Sequence, residues 1–295
     1  MTKLGSDLRG SIVALVTPFL KSVEIDFDAL KNLIEWHIES GTAAIVVTGS
    51  TGEGNLLTSK EQQALYEATV AIVKKRVPVI AGTGSASTAQ VIENNRMAMQ
   101  AGVDGLLVVT PFYVKPTQEG LYQHFKKIAV YSDLPIILYN VPPRTGVDML
   151  PATVARLAQV QNVIGLKEAL PSLKRLQQLQ ARIPEDFLIF SGDDMAACDW
   201  MLNGAAGVIS VTANMAPDKM SKMAAAALAK RADAKDLNDK LLPLHEVIGV
   251  ESNPIPSKYA LWKMKKIHNV LRLPLTPLNP QHFNSVDMAL KQVGI

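Results

Sequence analysis

The sequence has a single cysteine, Cys198, so no intrachain disulfide can staple the fold, and a reducing compartment is the consistent setting. Charge of one sign is also scarce. Thirty basic and 27 acidic side chains leave a net +3 over 295 residues, too little for the stripe that a phosphate backbone requires, and nucleic acid is not an expected partner. No apolar run approaches the roughly 18 residues of a membrane helix, and the early run 12–16 is cut by Thr17-Pro18 before it could serve as a secretory core. The expected location is therefore cytoplasmic, with no membrane partner. His37, His124, His245, His268 and His282 form no i, i+4 pair and have no cysteine at ligand spacing, so no metal is expected. Gly82-Thr83-Gly84 lacks the third glycine of a dinucleotide fingerprint, and no phosphate-loop lysine follows any glycine turn, so no cofactor is expected either.

What the sequence does contain is a recurring pattern. Eight short Val/Ile/Leu-rich runs occupy 11–17, 43–48, 77–83, 105–110, 135–140, 163–168, 187–191 and 207–212, with amphipathic stretches between them. Their near-continuous apolar character predicts strands covered on both faces, a property that a doubly wound sheet shares. Between them, 58–75 reads as a helix opened by a capping box of Thr58 and Glu61, and 117–130 carries Leu121, Phe125 and Ile128 on one face. After the eighth run the pattern is wholly helical, at 223–230, 237–248, 258–266 and 285–291. Eight βα units followed by helices predict an α/β chain folded as a (β/α)8 TIM barrel, 1–220, with a C-terminal helical extension, 221–295.

Barrel enzymes build their sites at the C-terminal strand ends, and here those ends are chemically loaded. Lys167 terminates the apolar run Val163-Ile164-Gly165-Leu166. Desolvation there would lower its pKa and free an amine able to attack a ketone and form a Schiff base. The alternative is a lysine whose stem packs while its head reaches water at the rim. Tyr139 ends the neighbouring fifth run, where a phenol can shuttle protons or simply pack in the core. Ser50 and Thr51 lie between glycines in a turn suited to a small carboxylate, although such turns are also ordinary loop chemistry. Asp193-Asp194 is expected to cap a helix, and Cys198, Met215, Met220 and Met223 to be core material.

Four motifs in order, Gly49-Ser50-Thr51-Gly52-Glu53, Tyr139-Asn140-Val141-Pro142-Pro143-Arg144-Thr145-Gly146, Gly165-Leu166-Lys167-Glu168 and Ser191-Gly192-Asp193-Asp194, make the chain resemble the Schiff-base-forming class I aldolases related to dihydrodipicolinate synthase and N-acetylneuraminate lyase. The resemblance runs from Gly10 to the C-terminus. It implies that Lys167 condenses with pyruvate, that Tyr139 passes protons, and that Thr51 links Tyr139 to Tyr113 supplied by a neighbouring subunit. It further implies that Ser50, Thr51, Arg144, Gly192 and Ile209 bind substrate, that no cofactor is needed, and that the chain assembles as a homotetramer, a dimer of tight dimers.

Arg144, whose fork suits a carboxylate, and Asn253-Pro254-Ile255-Pro256 are similar to the synthase branch, which joins pyruvate to aspartate semialdehyde on the route to diaminopimelate and lysine. Ser50 in place of the usual first Thr is similar to the lyase branch. The alternatives are a sister sugar-acid aldolase that releases pyruvate, and a barrel that binds a small acid without turnover. The resemblance also implies that Ala86, Gln90 and Phe112 stand where lysine-inhibited synthases carry an Asn, a Glu and a Tyr, so insensitivity to free lysine is expected, unless Asn55 or Ser87 rebuilds a site.

Overall fold

The computed structural model describes residues 4–5 and 8–295. Eight strands, β1 (Gly10–Ala14), β2 (Ala44–Val47), β3 (Val79–Gly82), β4 (Gly105–Val109), β5 (Ile136–Asn140), β6 (Val163–Glu168), β7 (Leu188–Ser191) and β8 (Gly207–Ser210), pair in parallel and in chain order. β8 returns to β1 with Gly10 opposite Gly207, closing the barrel. The closure is tight enough to require glycine, because a Cβ on Gly207 would sit 2.1 Å from the Gly10 carbonyl oxygen.

The period of two along each strand sorts the side chains into two cores. Ile12, Val46, Ile137, Tyr139, Phe190 and Ile209 fill the barrel, while Val13, Ile45, Leu138, Leu166 and Val208 pack outward against the helices. On β6 the same alternation turns Lys167 inward and Glu168 outward, and this parity fixes what each residue can touch.

Most expected strands are a few residues longer than the paired segments. Thr17 and Thr212 lie beyond the ladder, whereas β6 matches its expected range. The helix Ser59–Val73 opens with the capping box intact, and Gln118–Val130 with Thr117 as its N-cap. Cys198, Met215, Met220 and Met223 are buried as expected. The stretch 237–248 is not one helix but two, Ala234–Asp239 and Leu242–Val247, with Pro243 in the first turn of the second. The boundary expected at 220/221 falls within the helix Pro217–Leu228, and the outer core continues through Leu244, Tyr259 and Val286 of the extension.

The extension also grips the loop that follows β2. Lys258 Nζ lies 2.6 Å from Glu53 Oε1, with both side chains fully buried, and the Arg272 backbone N–H donates to Glu53 Oε2 at 3.0 Å. Arg272 also pairs with Glu61, the acidic half of the capping box.

Candidate active site

Lys167 stands directly across from Tyr139 in the β5–β6 register, and its Nζ lies 4.4 Å from the centre of the Tyr139 ring. It is buried and, among the described residues, makes no hydrogen bond or ion pair. Burial pulls its pKa down to about 8, with Arg144 lowering it further and the Asp194 carboxylate opposing the shift. Lys258 is also brought to about 8 by burial, so a perturbed pKa alone does not single out a nucleophile. The difference is the partner: Lys258 is bound to Glu53, whereas the Lys167 amine is uncommitted.

Gly192, after β7, lets the lysine stem pass. A Cβ there would meet Lys167 Cε at 3.0 Å and the Ala169 Cα at 3.2 Å, and its N–H is held by the Glu168 carbonyl at 2.7 Å. Behind Lys167, outward-facing Glu168 accepts from Asn140 Nδ2, the Leu170 N–H and Arg175 Nε, and Arg175 goes on to Asp148. These contacts fix the strand end that carries the amine. Tyr139, buried among apolar neighbours, has its phenol pushed up to about 12 and therefore keeps its proton at neutral pH.

The cavity beside Tyr139 measures about 370 Å³ and is lined by Ser50, Asn55, Gln90, Val109 and Phe112 among others. A second cavity of about 250 Å³ shares Ser50 and Phe112 and brings in Arg144, Val141 and Asn253. Ser50 therefore borders both spaces, with its hydroxyl uncommitted within the chain among the described residues. Arg144 is exposed and, among the described residues, spends one weak contact, Nη2 to the Asn253 carbonyl at 3.4 Å, leaving its remaining N–H groups for a carboxylate. Ile209 lies in the inner core with Tyr139, as apolar wall.

Thr51 and the acidic pair make contacts that their place in the sequence does not show. Thr51 makes no hydrogen bond to Tyr139; it is buried, and its Oγ1 accepts from Asn253 Nδ2 at 2.9 Å. Of the two turn residues, Ser50 lines the cavity with Tyr139, whereas Thr51 lines neither cavity. The acidic pair also divides its work. Asp193 closes its own turn through the Ala196 N–H, but Asp194 reaches across to the loop just after β8 and accepts from the Val211 and Thr212 N–H groups. Tyr113 has no place in its own chain's site: it is 90% exposed and sits at a φ of +73°. Sequence reasoning missed Asn253 as a contact of Thr51 and Asp194 as the carboxylate whose charge acts on Lys167, since neither pairing leaves a local signal.

The barrel has close counterparts among known proteins. The model of the dihydrodipicolinate synthetase family matches residues 7–293. Curated relatives from Alcanivorax borkumensis and Pseudomonas aeruginosa, both named 4-hydroxy-tetrahydrodipicolinate synthase, are 48% identical over 289 residues, covering 98% of this chain and 98% and 99% of theirs. The crystal structure of a chloride-inhibited dihydrodipicolinate synthase from Acinetobacter baumannii, complexed with pyruvate, superposes with a TM-score of 0.96 at 48% identity, covering 98% of this chain and 99% of that one. A monomeric dihydrodipicolinate synthase variant is similar at a TM-score of 0.95 and 40% identity, over 97% of each chain. With the family model matched along nearly the whole length and curated relatives at 48% identity over 98% of its residues, the chain belongs to the dihydrodipicolinate synthetase family.

Proposed function

We propose that the site carries out the 4-hydroxy-tetrahydrodipicolinate synthase reaction, the activity for which its curated relatives are named. The observation that carries this reading is the buried Lys167 amine, unpaired among the described residues, against the Tyr139 ring. The amine adds to the ketone of pyruvate, and loss of water leaves a protonated imine that serves as the electron sink. Loss of a methyl proton gives the enamine, whose carbon attacks the aldehyde of aspartate semialdehyde. Tyr139, protonated at neutral pH, passes protons in these steps.

Ser50 is assigned the hydroxyl between Tyr139 and Tyr113 of a partner subunit, supported by its position on the cavity wall. Thr51 keeps its substrate-binding role, donating to the pyruvate carboxylate. Gly192 and Ile209 shape the space around the imine. The exposed Tyr113 supports assembly of at least a tight dimer, with a homotetramer as the proposed state. No helix of the described residues is long and apolar enough to cross a membrane, and cytoplasmic placement is proposed with the biosynthetic role.

Arg144 is the branch-determining group in this reading. Purified enzyme should consume pyruvate only in the presence of aspartate semialdehyde and should not cleave sialic acid. Arg144→Ala should lower kcat/KM for the semialdehyde by about 10- to 100-fold, the worth of a charge-assisted pair, while pyruvate still forms its imine. Unchanged use of the semialdehyde, or turnover of sialic acid, would assign the other branch. Gln90 and Phe112 line the cavity beside Tyr139 but place no carboxylate there to hold an ammonium, so turnover should stay flat on titration with sub-millimolar lysine. Strong inhibition would mean that Asn55 and its neighbours rebuild a lysine site.

A further inference from the structure

Asn253 belongs to the helical extension, yet it touches two residues assigned to substrate binding. Its Nδ2 donates to Thr51 Oγ1 at 2.9 Å across 202 positions of sequence, and its carbonyl accepts from Arg144 Nη2 at 3.4 Å. A hydroxyl has one proton to give and two lone pairs with which to accept. An amide N–H fixed on one lone pair makes Thr51 an acceptor on the side of Asn253, so its single O–H must point elsewhere. The same loop is held from the extension by Lys258 and Arg272 through Glu53, so the turn has little freedom to swing the hydroxyl away. Asn253 Oδ1 is buried with no partner among the described residues, so the amide takes part here through its donor end.

We propose that Asn253 is a positioning residue for the reaction: it sets the polarity of the Thr51 hydroxyl, holding its O–H as a donor to the carboxylate of the bound keto acid. This rests on the reading of Thr51 as a carboxylate ligand given above. The Arg144 contact uses the backbone carbonyl and survives substitution at 253, so a side-chain change isolates the Thr51 contact.

Asn253→Asp replaces the donor with an acceptor and should turn the Thr51 proton away from the substrate. The KM for pyruvate, read in steady state and by saturation of borohydride trapping, should rise about 10- to 100-fold, with kcat at saturating pyruvate changed far less. The variant-to-parent KM ratio should fall as the pH is lowered and the new carboxyl regains a proton to donate. Thr51→Val should raise the KM similarly, and adding Asn253→Asp to Thr51→Val should then change it little. A carboxylate acting only by charge repulsion would raise the KM equally in the Thr51→Val background, and that result would overturn the proposal. So would an unchanged KM in Asn253→Asp beside a raised KM in Thr51→Val, which leaves the carboxylate reading of Thr51 standing. If Thr51→Val binds pyruvate normally, that reading is wrong and the proposal fails with it.

Discussion

Lys167→Ala is expected to lower kcat/KM by at least about 10³-fold, a loss of roughly 4 kcal/mol of transition-state stabilisation, without unfolding the protein. The catalytic loss follows because no neighbouring amine can replace it: Lys258, the other lysine with a comparable shift, is held against Glu53 and is fully buried. The fold should survive because the native state gains nothing from the Lys167 charge. A lysine whose folded pKa is about 8, below its unfolded value near 10.4, binds fewer protons when folded across that interval. Its ionisation therefore works against the fold below about pH 8, and stability from this group rises with pH between the two values. Removing the amine relieves that penalty, so the melting temperature at pH 7 should change by no more than a few degrees. Activity retained in well-folded Lys167→Ala would remove the nucleophile from the account.

The second large effect is on stability. Lys258→Met leaves Glu53 buried without its cation, a change expected to cost about 3 to 5 kcal/mol and to lower the melting temperature by on the order of 10 °C. Glu53→Gln in the same chain should recover much of the loss, since a neutral amide can still accept the Arg272 N–H that Glu53 now accepts. The double-mutant cycle in denaturant measures the coupling directly. A melting temperature unchanged in Lys258→Met would show that the extension does not brace the β2 loop through this pair.

The contrast between these two lysines also marks how far the sequence could be read. Lys167 was legible because it ends a run of apolar residues, and strand parity then dictates that its side chain enters the barrel while Glu168 leaves it. The capping box at Thr58 and Glu61 was legible for the same local reason. Position in a motif does not reveal what each hydroxyl of a turn meets: Ser50 lines the cavity with Tyr139, whereas the Thr51 hydroxyl meets Asn253, 202 residues away. Lys258 meets Glu53 across 205 residues, and nothing within the Asn253 to Lys258 stretch signals a buried cation. Asp194 is expected to serve its own helix, yet its backbone donors lie in the loop that follows β8. Local periodicity encodes elements and facing, whereas the polar pairs that orient the site are set by which loops the closed barrel brings together.

The central claim is that Lys167 is the nucleophile. It is tested most directly by incubating the enzyme with pyruvate, reducing with borohydride and mapping the adduct by peptide mass spectrometry. One pyruvyl group per chain should appear on the peptide containing Lys167, trapped faster as the pH rises through about 8 and the free amine becomes more abundant. An adduct on Lys258 or any other lysine, or none at saturating pyruvate, would contradict it.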